Sequence, residues 1–383
     1  MPLVVYVLGL TIFSVGTAEL MVAGMMDTLS AAFGVSIGEV GHLISYYAFG
    51  MMLGGPILTF ILLRLSIPYR PALLWLLGLY VVVQGLGAWV SDYQTLVWVR
   101  IWTGIIGSGC LSLSLATSMS LVPLAERARA ASVVLGGFMV ANVFGVPIAT
   151  VINQYWGWRI SFALVAVLVL ACGVSLVRLL PALGGGHVSM AVELKAFKTP
   201  AYWRACATSC LILGASFAAF SYFVPVFLAV SGFSMAVVPF ILGAYGLANV
   251  VGNMVTGRLA HRHSLAIMVV GLSTLSVSLF GMALFAQSQW LTVLFVVFIG
   301  LSGVPMNPAM MARVVSVAHP GPLVNAVHTS VINIGLGGGS YLGGLAITAG
   351  YGFRAPLWVG MVLALLGLLS IVPYLRRGRV GWA

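Results

Sequence analysis

A chain of 383 residues that is 61% hydrophobic and only 6% charged is no soluble domain, since soluble surfaces need about 25% charged residues. Its net charge of +11, from 17 Lys and Arg against 6 Asp and Glu, would suggest nucleic acid on a soluble protein. On a chain this apolar it reads as basic cytoplasmic loops of a membrane protein, and no nucleic-acid partner is expected.

Apolar run length predicts twelve helical spans, at about 3–26, 38–63, 71–90, 93–122, 130–152, 158–180, 201–230, 235–257, 264–286, 289–312, 323–348 and 354–375. Barrel strands would need only ~10 alternating residues each. The 46 glycines suit helices that meet backbone to backbone in lipid. With both termini cytoplasmic, fourteen basic residues fall inside, from Arg64 and Arg70 through Lys195, Lys198 and Arg313 to Arg376, Arg377 and Arg379. Two, Arg159 and Arg354, fall outside, and Arg100 lies within the fourth span. This bias sets the orientation.

The longest polar connection, 181–200, holds Gly184-Gly185-Gly186 and His187 and divides the chain into six-helix bundles at 1–180 and 201–383. The halves repeat. Gly157-Trp158-Arg159 opens the sixth span as Gly352-Phe353-Arg354 opens the twelfth, and Phe33-Gly34-Val35-Ser36 precedes the second as Ser231-Gly232-Phe233-Ser234 precedes the eighth. Arg64 and Arg258 close spans two and eight. Duplicated, parallel halves are expected to place a site between them.

Glu19 is the one acidic side chain deep inside a span. Hydrocarbon cannot solvate a carboxylate, so the group is neutral, paired, or turned to a watery cavity. Desolvation favours the neutral acid, which suits a group that takes up and releases a proton; the alternative is a protonated structural Glu. Arg100 lies about eight residues inside the outer edge of its span, ~12 Å at helical rise, close to the depth of Glu19. A switchable Glu19–Arg100 interaction is therefore expected, against the alternative of an Arg that bonds backbone carbonyls and fixes packing.

Tyr222, Tyr245, Asn249, Asn307, His328 and Asn333 in the later spans, with Tyr46 and Asn142 from the first half, are candidates to line a substrate cavity. Interhelical hydrogen bonding is the alternative for each. Asn307, between Pro305 and Pro308, stands out because a broken helix is expected where it borders a cavity. His328 has a side chain that ordinarily titrates near neutrality. Asp27, Glu39 and His42 lie around the first outer loop and read as solvated. The sequence His261-Arg262-His263 reads as a basic loop rather than a metal site, because no further ligand cluster accompanies it. Cys110, Cys172, Cys206 and Cys210 all sit in apolar runs and imply neither disulfides nor metal. The N-terminus lacks the basic start and cleavage site of a signal peptide, and no lipidation box is present.

Four stretches carry a family resemblance. They are Gly16-Thr17-Ala18-Glu19 with Gly24 in span one, and Leu96-x3-Arg100-x2-Thr103-Gly104-x2-Gly107 in span four. The others are Gly136-Gly137-x7-Gly145-Val146-Pro147 in span five and Gly252-x4-Gly257-Arg258-Leu259-Ala260-His261-Arg262 after span eight. Together they resemble the major facilitator superfamily, and within it the twelve-helix drug:proton antiporters, in the branch of AraJ-type exporters and actinobacterial chloramphenicol-resistance proteins. The resemblance implies the all-α major facilitator fold of two pseudo-symmetric six-helix bundles. It also implies a proton or substrate role for Glu19, and a buried Arg100 among the small residues Gly104 and Gly107. Gly137, Gly145 and Pro147 fall in the motif associated with antiport. Gly257, Arg258 and Arg262 fall in the inter-helix motif, where His261 stands in place of the usual Asp.

The function so implied is export of a small, partly apolar organic molecule, such as an amphenicol-like drug, a sugar or a nucleoside, in exchange for protons. The expected partners are substrate, protons and lipid, for a monomer without cofactor or metal. Uptake or facilitated diffusion of a neutral solute is the rival transporter reading. A non-transporting membrane sensor is the rival from another class, disfavoured because the loops are too short for a signalling domain. No P-loop, dinucleotide box or HExxH occurs, so neither ATP-driven transport nor enzymatic chemistry is expected.

Overall fold

The computed structural model describes residues 1–65, 67–181, 197–318 and 321–377, which are helical almost throughout. Twelve helices among them are long and apolar enough to cross a membrane. In chain order the first six are span one (Leu3–Gly24), two (Ile37–Leu62), three (Tyr69–Leu86), four (Tyr93–Ser120), five (Arg127–Trp156) and six (Trp158–Leu179). The second six are span seven (Pro200–Phe220), eight (Val238–Ala260), nine (Arg262–Phe285), ten (Gln289–Val317), eleven (Leu323–Tyr351) and twelve (Ala355–Tyr374). Most of the 181–200 connection, with Lys195 and the Gly triplet, lies outside the described residues, as does Arg379.

Local chemistry sets where these helices start and bend. Span two opens with a capping box: the Glu39 carboxylate accepts from Ser36 N at 2.7 Å and Oγ at 2.8 Å, while Ser36 Oγ accepts from Glu39 N at 3.2 Å. Span four is capped by Asp92, whose carboxylate accepts from Thr95 N at 2.8 Å. Span one is α-helical only to Leu20, tightens to a 3₁₀ turn at Met21–Gly24, and leads into a short amphipathic helix, Met26–Phe33.

Span seven likewise stops at Phe220, well short of the predicted end, and resumes as Phe223–Pro225 and a π turn at Val226–Val230. In span five, a π turn over Ala141–Gly145 precedes Pro147, which has no N–H to offer the Val143 carbonyl; the widened turn accommodates that loss. Span ten breaks at Gly303 and a 3₁₀ turn, Val304–Met306, as its prolines predict. Spans eight and nine run on from Val238 to Phe285 with a kink at His263.

Candidate functional site

The two halves are sealed at the end remote from Arg64 and Arg258. Ser340 Oγ of span eleven donates to the Gly41 carbonyl of span two at 3.1 Å, and Tyr222 Oη donates to the Ser340 carbonyl at 2.8 Å. The backbones meet because neither side carries a side chain there: a Cβ on Gly344 would lie 2.7 Å from the Gly38 carbonyl. His42 of span two stacks on Tyr341 of span eleven, centroids 4.3 Å apart and planes at 30°. A second seam joins span five to span eight, where Gly246 admits the Asn142 carbonyl and Gln154 Nε2 donates to the Met235 carbonyl at 2.9 Å.

Toward the basic end the halves part around a cavity of about 380 Å³. Spans two, three and four supply one wall and span eleven the other. Its polar lining is Thr59, Tyr69, Ser108, Ser112, Asn325 and Thr329; the remaining lining residues are apolar or glycine. No Lys, Arg, His, Asp or Glu lines it among the described residues. Ser108 Oγ donates to its own helix at the Ile105 carbonyl, 2.7 Å, which leaves only its lone pairs free toward the cavity. Such a wall solvates an amphipathic neutral molecule and offers nothing to offset the desolvation of an ion.

Glu19 and Arg100 are brought together, though not as a side-chain ion pair. Arg100 is fully buried, and its guanidinium reaches backbone carbonyls: Nη1 to Ala18 at 2.6 Å, Nη2 to Glu19 at 2.8 Å and Nε to Leu43 at 3.2 Å. It also lies 4.4 Å over the Tyr47 ring. The Ala18 and Glu19 carbonyls belong to the last turn of the α-helical part of span one, where the switch to a 3₁₀ turn weakens their helical bonding. Arg100 therefore caps that end, and its charge complements the negative pole of the helix. Glu19, also buried, sits in this setting with Tyr47 and Tyr80, whose hydroxyls are 3.4 Å apart. Gln84, one turn along from Tyr80, is buried with neither amide atom bonded. All of these polar groups lie inside the first bundle, none in the cavity lining.

None of the eight residues expected to bind substrate lines the cavity. Tyr222 belongs to the sealed end, and Tyr46 stands edge-on to His42 there at 6.5 Å. Tyr245 is packed on Phe220 at 4.9 Å, with Asn249 a turn below donating to its carbonyl at 3.2 Å. Asn142 lies on the π turn of span five and donates to the Phe138 carbonyl at 3.0 Å. His328 is buried with Nε2 3.0 Å from Ser209 Oγ, and Asn333 Nδ2 donates to the Thr329 carbonyl at 2.9 Å. Asn307 follows the break in span ten and is exposed.

Of the motif residues, a Cβ on Gly104, Gly137 or Gly145 would collide with the Tyr47 carbonyl, the Gly9 carbonyl or the Thr17 hydroxyl, and one on Gly107 would lie 2.8 Å from Tyr47 Oη. Arg258 and Arg262 are exposed, and Gly257 faces open space.

Three readings are corrected; the first is that Asp27 is partly buried, with Oδ2 shut off from solvent and without a partner, rather than solvated. His42 is buried in the span two–span eleven seam rather than solvated, because span eleven folds across it. Arg313 is buried within the second bundle rather than in a basic loop; Nη1 donates to Thr208 Oγ1 at 3.1 Å and its guanidinium lies 4.4 Å over the Tyr374 ring. Its setting in Met310-Met311-Ala312-Arg313-Val314-Val315 was the available signal. No residue of the second half is Asp or Glu, so Arg313 has no carboxylate within its own bundle.

The profile of the Major Facilitator Superfamily matches residues 8–327 and 238–381. The chain belongs to the major facilitator superfamily. A chloramphenicol resistance protein of Streptomyces lividans is 29% identical over 381 residues, covering 98% of this chain and 96% of that one. The inner membrane transport protein YdhP of Escherichia coli K12 is 30% identical over 367 residues, covering 95% and 94%. AraJ of the same organism is 28% identical over 382 residues, covering 99% and 96%. Among solved structures, a bacterial homologue of the human lysosomal transporter Spinster, inward-facing and occupied, superposes with a TM-score of 0.76 at 15% identity, covering 98% of each chain. This facilitator is thus a multi-pass protein of the cytoplasmic membrane, a transporter rather than an enzyme.

Proposed function

We propose that the chain exports a small, uncharged, partly apolar organic molecule in exchange for protons, by alternating access of its two halves. The observation that carries this reading is the neutral, hydroxyl-edged cavity open toward the basic end while the other end is closed. With the basic end cytoplasmic, as the excess of Arg and Lys favours, this is the form that collects cargo from inside the cell, and both termini are cytoplasmic. The relative named for chloramphenicol resistance supports an amphenicol-like cargo, and the span-five motif supports export.

Glu19 is the proton carrier in this reading. The second half contains no carboxylate, and of the first half's acids only Glu19 is buried within a span. Arg100 positions it by holding the backbone at its own residue. Cargo and proton act on one equilibrium between inward and outward forms, each through its differential affinity for the two.

Proteoliposomes with a pH-sensitive dye inside test the exchange. Cargo added against an imposed gradient is expected to drive proton movement in wild type and none in Glu19→Gln. Cargo flux without proton movement in wild type refutes antiport and leaves facilitated diffusion. The cavity's lack of ionisable lining favours that second reading, because cargo entry there displaces no proton directly.

A further inference from the structure

The sealed end carries a titratable group that the exchange mechanism above does not use. His42 sits six residues into span two, where span two meets span eleven, with only 8% of its surface exposed. Tyr341 covers one face of the ring, Tyr46 meets its edge, and a Cβ on Gly344 would fall 2.8 Å from Nε2. Nε2 is buried and has no hydrogen-bond partner. The groups around it are Glu39 and Tyr46 on its own span, Tyr93 on span four, Tyr222 beyond span seven and Tyr341 on span eleven. The adjoining short helix, which packs on span two, carries Asp27, and the last turn of span eleven carries Tyr351.

Their polar atoms are largely committed. The Glu39 carboxylate accepts from Ser36 N and Oγ, Tyr93 Oη donates to the Glu39 carbonyl at 2.6 Å, and Tyr222 Oη donates to Ser340. A neutral imidazole needs a partner for one N–H, whereas the imidazolium carries two. In the sealed seam Nε2 lies beside Gly344 without a hydrogen-bond partner, so the N–H added there is unpaired and the new charge is cut off from solvent.

We infer that His42 is a proton-binding site that latches the outer end: spans two and eleven close on the neutral ring, and its protonation holds them apart. The inference rests on the alternating-access reading given above. Because the ring is reached only when that end is open, the proton enters and leaves on the outer side and is not carried across. External acidity then holds the outward-open form, independently of Glu19. By linkage, a tenfold difference in proton affinity between the open and sealed forms shifts their ratio by about tenfold across the titration.

Spin labels at Trp89→Cys and Trp290→Cys report the separation, since both positions are highly exposed at that end and lie in opposite halves. A second pair at Leu65→Cys and Leu259→Cys, also exposed, reports the basic end. In lipid nanodiscs, acidification from about pH 8 to about pH 5, across the ordinary histidine range, is expected to raise the outer open-to-closed ratio about tenfold in wild type and in Glu19→Gln. His42→Phe and His42→Gln are expected to stay closed at both values, and His42→Lys to stay open.

An outer distance that ignores pH in wild type, or that shifts equally in His42→Phe and His42→Gln, overturns the latch. A shift lost in Glu19→Gln and retained in His42→Gln assigns it to Glu19 instead. Basic-end distances that change with pH or cargo while the outer pair stays still defeat the latch but leave alternating access standing. Distances that never move at either end defeat both.

Discussion

Replacing Arg100 separates the two roles that its position suggests. As a cap, it donates to three backbone carbonyls on spans one and two; as an ionic partner, it would act on the Glu19 carboxylate. A hydrogen bond from a charged donor contributes about 1.5–3 kcal/mol, so Arg100→Met, which keeps the volume and removes all three, is expected to cost on the order of 5 kcal/mol. Arg100→Lys supplies a single ammonium where a planar fork spans two adjacent carbonyls, and should recover less than half of that. Glu19→Gln, which keeps the side chain's size and shape, should move stability by less than about 1 kcal/mol, because no hydrogen bond from Arg100 to that side chain is lost. The double variant should then be additive with Arg100→Met.

Thermal unfolding of the purified protein in detergent, followed through its tryptophans, ranks the five proteins. The expected order is wild type and Glu19→Gln together, then Arg100→Lys, then Arg100→Met and the double variant. A Glu19→Gln change that rescues Arg100→Met by more than about 1 kcal/mol would show the two side chains acting as an ion pair, and would refute the capping argument.

Three further outcomes follow from the geometry. Gly344→Leu places a side chain against the Gly38 carbonyl and the Tyr222 hydroxyl, so the outer end should fail to close; cargo flux should fall at least tenfold in vesicles while the protein still purifies as a monodisperse peak. Ala116→Glu puts a carboxylate into a wall without charge, and binding of neutral cargo measured by calorimetry should weaken about tenfold, with a cationic analogue gaining by comparison. Asp27, outside the spans, holds its proton above the usual carboxylate range because burial disfavours the anion and Oδ2 has no partner. Its protonation therefore favours the folded form, and that contribution fades as pH rises. Asp27→Asn should match wild-type thermal stability near about pH 4 and exceed it near about pH 8, and a gap that narrows on raising pH would be contrary.

The sequence determined a good deal of this protein. Partition between water and lipid is settled residue by residue, so twelve spans and their approximate edges were legible from run length alone. The break in span ten was legible because proline cannot continue a hydrogen-bond ladder, and Arg100 was marked by its charge among apolar neighbours. What the charge bonds to was not legible. The choice between the Glu19 carboxylate and the Ala18 and Glu19 carbonyls depends on the register of span four against span one.

The cavity escaped for the same reason. Its lining of Thr59, Ser108, Ser112, Asn325 and Thr329 consists of small polar residues that look like packing groups in any one helix. The larger candidates, Tyr222, Tyr245, Asn249 and His328, were more conspicuous and turned out to bond their own bundle or the sealed end. Burial of His42 and Arg313 was likewise decided by spans hundreds of residues or a whole helix away, Tyr341 for one and Tyr374 for the other. Hydropathy fixes which segments enter the membrane; only the packing of segments against one another decides which polar groups meet, and which face the space between the halves.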